Sequence, residues 1–219
     1  TNTYYDVLVI DTIPYFAGII ESLKRLGNIG KFRTRVSDTA IVINKIFLAS
    51  DGHLWCGAWD NGLHQFEAST KRIATYFFDG SNKLKGSGDE ILCLAEDENK
   101  VLWCGTKSSG IRFFDLKTKS FISNIKFSNP VTSRINNLYR DNHNRIWIAT
   151  ETGLYVYDPL QNQFEITKLP VPAGFTSCKA NDRLIFKSGK ELIVTHCGLF
   201  YRDSKDENYL HKDFYYRDE

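Results

Sequence analysis

The amino-acid sequence predicts an all-β fold, a β-propeller of four-stranded antiparallel blades forming an array of about four to five. Three observations carry this. Trp55, Trp103 and Trp147 stand 48 and 44 residues apart, and each is followed two residues later by Gly or Ala. Ile43, Ile91 and Ile135 each lie 12 residues before one of these Trp. Gly62, Gly110 and Gly153 each precede Leu or Ile, with Phe66, Phe114 and Tyr157 at a common offset of four. A period of roughly 40–45 residues is that of a propeller blade. A single four-stranded sheet has two faces to cover, and packing it radially against its own copies covers both. A sandwich would not explain one four-strand unit repeated end to end.

Residues 1–42 come first and are the least regular. "YYDVLVID" reads as a strand, and the spacing in "YFAGIIESLKRLG" is that of a short helix ending at Gly27. The segment reads as a divergent blade with an insertion, or as a separate N-terminal element. The propeller repeats occupy 43–219, with clear copies near 43–79, 91–123 and 135–166 and a worn copy near 181–209. In the worn copy Leu192 takes the Trp place, 45 residues after Trp147. Thr195 there matches Thr150, and Gly198-Leu199-Phe200 matches Gly153-Leu154-Tyr155. Worn terminal copies are expected of repeat proteins.

Each copy parses into four short strands. In the second copy they are Ile91 to Ala95, Val101 to Gly105, Ile111 to Asp115, and a fourth from near Ser120. A polar turn with Asp97 and Asn99, a tight turn over Lys107 to Ser109, and a turn over Leu116 to Lys119 join them. Trp55, Trp103 and Trp147 are expected between neighbouring blades. Gly57 and Gly105 in the same strands permit close packing, and Ala149 fills that role in the third copy.

Composition bounds the function. The chain has 219 residues, 42 % of them apolar and 25 % charged, ordinary values for a globular protein. A net charge of +2 with no long Lys/Arg run gives no electrostatic case for nucleic acid. No stretch of 18 apolar residues is present, so no helical membrane span is expected. The chain starts at Thr1 and has no Met, as expected of a processed product or a fragment. The five Cys lack the close spacing of a zinc or redox pair and read as small buried hydrophobes. Asp97, Asp115 and Asp141 read as turn caps rather than calcium ligands. His53, His64, His143, His196 and His211 are scattered, with no HExxH pair. No metal or cofactor is expected.

The pattern D-x-x-x-x-L/I-W-x-G-T-x-x-x-G-I/L-x-x-F/Y-D runs from Asp97 to Asp115 and, with changes, from Asp141 to Asp158. Asp51-Gly52 before Leu54-Trp55-Cys56-Gly57 is a shortened form of its turn. These repeats, over about 43 to 203, resemble the regulator propellers of bacterial two-component sensors. In that family such repeats form the extracytoplasmic sensing region of membrane-bound histidine kinases, including hybrid sensors of gut Bacteroides that detect polysaccharide breakdown products. The resemblance implies a periplasmic segment that senses an oligosaccharide or transmits its presence, and no catalysis by this piece. It also implies a neighbouring propeller or β-sandwich in the parent chain as partner. Cys56 and Cys104 stand where an aliphatic residue is commoner, and no kinase, receiver or DNA-binding segment is present.

Antiparallel strands put the loop between strands two and three on one face, together with the connections between blades. Candidate ligand contacts there are Trp59, Asp60, Lys107, Glu151 and His196, with Ser108 and Thr152 beside them. The longer connections Phe77 to Gly88, Ser123 to Ser133 and Lys168 to Cys178 share that face. Trp59 is the one Trp outside the repeated core position, and an aromatic in a loop can stack on a sugar or anchor a partner. A scaffold or homodimerisation surface is the second reading. A propeller glycosidase or lyase is the third, although nothing in the sequence pairs the two carboxylates that glycosidase chemistry needs. No GxSxG elbow, phosphate loop or dinucleotide motif is present.

Overall fold

A computed structural model describes residues 4–10, 13–18, 24–25, 43–59, 62–67, 72–78, 90–123, 134–176, 178–203 and 208–212. Among these described residues, nineteen strands form five antiparallel sheets, four of them four-stranded meanders. The first sheet holds β1 (Tyr4–Ile10), β2 (Ile13–Gly18) and β3 (Lys24–Arg25). Blade one holds β4 (Ile43–Leu48), β5 (Leu54–Ala58), β6 (Leu63–Glu67) and β7 (Arg72–Tyr76). Blade two holds β8 (Ile91–Glu96), β9 (Val101–Thr106), β10 (Ile111–Asp115) and β11 (Ser120–Phe121). Blade three holds β12 (Ile135–Arg140), β13 (Ile146–Thr150), β14 (Gly153–Asp158) and β15 (Gln163–Thr167). Blade four holds β16 (Ala180–Ile185), β17 (Glu191–Thr195), β18 (Gly198–Arg202) and β19 (Leu210–Lys212). The inner strands β4, β8, β12 and β16 lie side by side in chain order, so the sheets form a successive blade array. In the N-terminal segment, strands stand where the spacing suggested a helix: Tyr15 and Phe16 pair with Arg25 and Lys24, and β2 pairs with β1 along its length. The apolar run of β1 offers a ladder that satisfies these backbone groups, and pairing overrides a weak helical spacing.

Each inner strand carries a register shift after its first residue, at Ile43/Lys45, Ile91/Cys93, Ile135/Asn137 and Ala180/Asp182. A bulge leaves its extra residue outside the ladder, and two of these residues reach the next blade. Asn44 Nδ2 donates to the Ile91 carbonyl at 3.1 Å, and Asn136 Nδ2 to the Ala180 carbonyl at 2.7 Å.

The blade seams are close-packed. A methyl group at Gly57 would come within 2.5 Å of Ile91 Cγ2, and one at Gly105 within 2.6 Å of Ile135 Cγ2. At the third seam Ala149 and Ala180 share one buried cluster, a small residue on each side in place of Gly and Ile. The Trp side chains fill the remaining space. Trp55 lies 5.0 Å from the Phe114 ring of blade two, and Trp103 lies 5.2 Å from the Tyr157 ring of blade three. At the third seam the Arg183 guanidinium of blade four sits 3.5 Å from the Trp147 ring centroid. All five Cys are buried and none forms a disulfide, and burial pushes the Cys56 and Cys93 thiols up to about 12.

Candidate ligand-binding rim

Trp59, Lys107, Glu151 and His196 each stand four residues after the Trp, or Leu192, of their blade. One register position therefore contributes one side chain per blade to the face holding the turns between strands two and three. The same geometry builds the turn three times. Thr106, Thr150 and Thr195 Oγ1 donate to the carbonyls of Gly110, Gly153 and Gly198 at 2.8, 2.8 and 2.9 Å. Ala58 holds this place in blade one. Those glycines, and Gly62, adopt positive φ, which lets the chain reverse within a few residues.

In blades two, three and four the residue before the inner strand meets this position. Lys107, Glu151 and His196 donate their backbone N–H to the carbonyls of Glu90, Arg134 and Lys179 at 3.0, 3.3 and 3.3 Å. The side chains then form an arc of polar contacts. Lys107 Nζ pairs with Glu90 Oε1 at 2.9 Å and lies 5.9 Å from the Trp59 ring centroid, spanning blades one and two. Glu151 Oε1 lies 3.7 Å from Arg134 Nε, and Glu151 also pairs with Lys179 of the next blade. His196 Nδ1 accepts from the Lys179 backbone N–H at 2.9 Å, and its ring meets Phe175 edge-on at 5.5 Å. Trp59 is 41 % exposed, so part of its surface faces solvent. Thr152 is engaged locally, its N–H donating to Thr150 Oγ1 at 3.1 Å. Asp60 lies outside the described residues, as do most of the first two long connections. Among the described residues, no three His, Cys, Asp or Glu converge as a metal would require.

A cavity of about 690 Å³ lies elsewhere, lined by β4, β8 and β12 from their middles to their C-terminal ends. Lys45, Glu96, Asn137, Tyr139 and Arg140 contribute to it, and none of the rim residues does. It runs toward the turns between strands one and two, away from the rim. Glu96 is held at its wall by the Ser50 backbone N–H at 2.7 Å and by the Ser50 hydroxyl. Sequence reasoning missed this set because inner strands read as core, whereas β4 and β12 share a pattern with half-buried and exposed positions and only β8 is buried along most of its length.

Residues 129–152 match the two component regulator propeller family. The match carries Asp141, Trp147 and the rim residue Glu151. Two similar folds are extracellular domains of hybrid two component systems from B. thetaiotaomicron. BT4673 shares 17 % identity at a TM-score of 0.76, over 98 % of this chain and 28 % of that one. BT3049 shares 16 % at 0.71, over 95 % of this chain and 28 % of that one. The chain thus spans well under a third of either domain. Virginiamycin B lyase from Staphylococcus aureus shares 12 % at 0.65, over 89 % of this chain and 64 % of that one. A lyase and two extracellular domains of two component systems share the fold, so the likeness is one of architecture. No curated protein sequence matches the chain.

Proposed function

We propose that this chain is a sensory propeller segment of a two-component sensor, on the extracytoplasmic side of the membrane, non-catalytic itself and responsive to glycan fragments at its rim. The observation that carries this reading is the regulator-propeller match at 129–152 within a fold like that of the BT4673 and BT3049 extracellular domains. The rim supports the ligand class. A half-exposed indole gives an apolar platform for a sugar ring. The Lys107–Glu90 pair beside it and the Arg134–Glu151–Lys179 group of blades three and four supply donors and acceptors for hydroxyls. The varied residue at one register position per blade gives specificity without changing the core.

The test is calorimetric titration of soluble oligosaccharides into the sensor region that contains this segment. Saturable binding without product formation is expected, and Trp59→Ala should weaken it about tenfold, a loss near 1.4 kcal/mol. Unchanged affinity in that variant would remove the rim from the reading. Cleavage of the oligosaccharide would replace a sensor with an enzyme.

A further inference from the structure

Two of the buried thiols meet in blade four. Cys178 lies two residues before β16, at the end of the long connection from blade three, and Cys197 lies in the turn between β17 and β18. Ala180 pairs with Thr195 at the end of the ladder. Beyond it the Lys179 carbonyl accepts the His196 N–H at 3.3 Å, and the Lys179 N–H donates to His196 Nδ1 at 2.9 Å. The turn is held as well: the Cys197 N–H donates to Thr195 Oγ1 at 3.1 Å, and His211 Nε2 donates to the Cys197 carbonyl at 2.7 Å. These contacts bring the Cys178 thiol into hydrogen bonds with the Cys197 thiol and the Thr195 side chain. Both Cys belong to the buried cluster of the third seam. Cys93 and Cys104, although in adjoining strands, belong instead to clusters on opposite faces of blade two. By offset from the inner strand, the places of Cys178 and Cys197 fall on Ser133 and Thr152 in the third copy and on Asp89 and Ser108 in the second. The repeat itself thus asks for no cysteine at either place.

We propose that Cys178 and Cys197 form a disulfide that cross-links the connection from blade three to the β17–β18 turn, with an external disulfide as the oxidant. One protein thiolate attacks the external disulfide, releasing one thiol and leaving a mixed disulfide. The second protein thiolate then attacks the protein sulfur of that bond and expels the second thiol. Two protein S–H bonds are lost and one S–S bond is gained, while the external S–S bond is replaced by two S–H bonds. Two electrons and two protons pass to the external pair. Burial and the neighbouring Cys197 push the Cys178 thiol up to about 12, so exchange is slow in the closed protein and proceeds as the seam forms. An S–S bond of about 2.05 Å needs two sulfurs aimed at each other, and the hydrogen-bonded thiols already are. The extracytoplasmic reading puts the chain where such bonds persist. The bond closes residues 178–197 into a loop and pins the segments that carry Lys179 and His196 to the rim.

The test refolds the full polypeptide, with no substitution, from its reduced state in a buffer of reduced and oxidised glutathione. Remaining thiols are then alkylated with iodoacetamide in urea, and tryptic peptides are mapped by mass spectrometry without reduction. A peptide pair joined through Cys178 and Cys197 is expected, two hydrogens lighter than the sum of its parts, with Cys56, Cys93 and Cys104 alkylated. Alkylation of both Cys178 and Cys197 would overturn the proposal. So would a glutathione adduct left on either sulfur, or a link from either to another cysteine. The oxidised protein should also melt several degrees above the protein in dithiothreitol, because the cross-link restricts the unfolded chain. That difference should vanish in Cys197→Ala, and a difference of the same size in that variant would count against the bond. Because the oxidant is supplied to the isolated protein, failure removes the cross-link and leaves the extracytoplasmic sensory reading untouched.

Discussion

Asp97 does two things with one carboxylate. Oδ1 accepts from the Asn99 and Val101 backbone N–H groups at 2.9 and 3.0 Å, closing the turn, while Oδ2 accepts from the Trp103 indole at 3.0 Å. Asp141 repeats this with His143, Arg145 and Trp147. In blade one the carboxylate moves two residues along the turn, and Asp51 Oδ1 still takes the Trp55 indole at 3.3 Å. Blade four loses both partners together, with Phe186 at the Asp place and Leu192 at the Trp place. Without an indole N–H, no carboxylate is needed there. Trp103→Ala should cost about 3–5 kcal/mol through the cavity it leaves. Asp97→Ala should cost about 1–3 kcal/mol, because the indole and turn amides lose a charged acceptor. Urea melts of both check this, and a midpoint that barely moves for Trp103→Ala would contradict its place in the seam. His64 offers a second test. It is 2 % exposed, and burial lowers its pKa to about 4. Nδ1 is bonded to Thr75 Oγ1 at 2.9 Å, while Nε2 has no partner. Because the folded pKa is depressed, its contribution is complete above about 6.5 and is lost as pH falls toward 4. The melting temperature should therefore decline across that window, and His64→Gln should flatten the decline.

At the scale of the element, the unit is an inner strand with its bulge and the second strand beside it. The bulge turns one side chain out of the ladder, and the Gly or Ala of the second strand sets how close the next inner strand can come. A methyl group at Gly105 would meet Cys93 Sγ at 2.4 Å as well as Ile135. Gly105→Ala should therefore destabilise by about 1–3 kcal/mol from overpacking. Ile135→Ala makes room on the other side, as Ala180 does opposite Ala149. The double variant should lose less stability than the sum of the two singles, a coupling that a double-mutant cycle reads directly. Strict additivity would mean that the two residues do not share the seam.

Across the whole molecule the seams are unequal. The first two are apolar, built on Leu94, Leu102 and Phe114 and then on Leu138, Ile146 and Tyr157. In blade four the corresponding places hold Arg183, Glu191 and Arg202. Arg183 donates to Tyr139 Oη at 2.6 Å and pairs with Glu191. Glu191 also accepts from Arg202 at 2.9 Å and from Tyr209 at 2.6 Å. Burial alone would push the Glu191 carboxyl up, but Tyr209, Arg183 and Arg202 together outweigh it and hold it below its ordinary value. The sign follows: this stability is present above the ordinary Glu range of about 4.3 and is lost as pH falls through and below it. Glu191→Ala should cost about 3–5 kcal/mol by leaving the buried Arg183 charge unpaired. Native-state amide exchange should show β16 and β17 losing protection before β8 and β9 as pH is lowered from 5 to 3. Equal loss in both pairs of strands would argue against a distinct third seam.

The repeat was legible because its determinants are local. A Trp with Gly two residues later, an apolar residue 12 positions before it, and Asp or Gly at the turns are each enforced by strand alternation or turn backbone. The four strands of the second copy consequently lie within a residue of their expected bounds. The turn-capping role of Asp97, Asp115 and Asp141 was readable for the same reason. The spacing also identified Trp59, Lys107, Glu151 and His196 as one face, because a shared register position fixes which end of the sheet a residue occupies. Contacts between residues distant in the chain were not readable. Nothing local tells that Lys107 reaches Trp59, that Lys179 reaches Glu151, or that Arg183 lies on Trp147. The sequence by itself determined the blade, its period and its turns, since those depend on neighbours within one sheet. Only the tertiary structure decided what each seam is made of and where the cavity lies, since those depend on how one sheet meets the next.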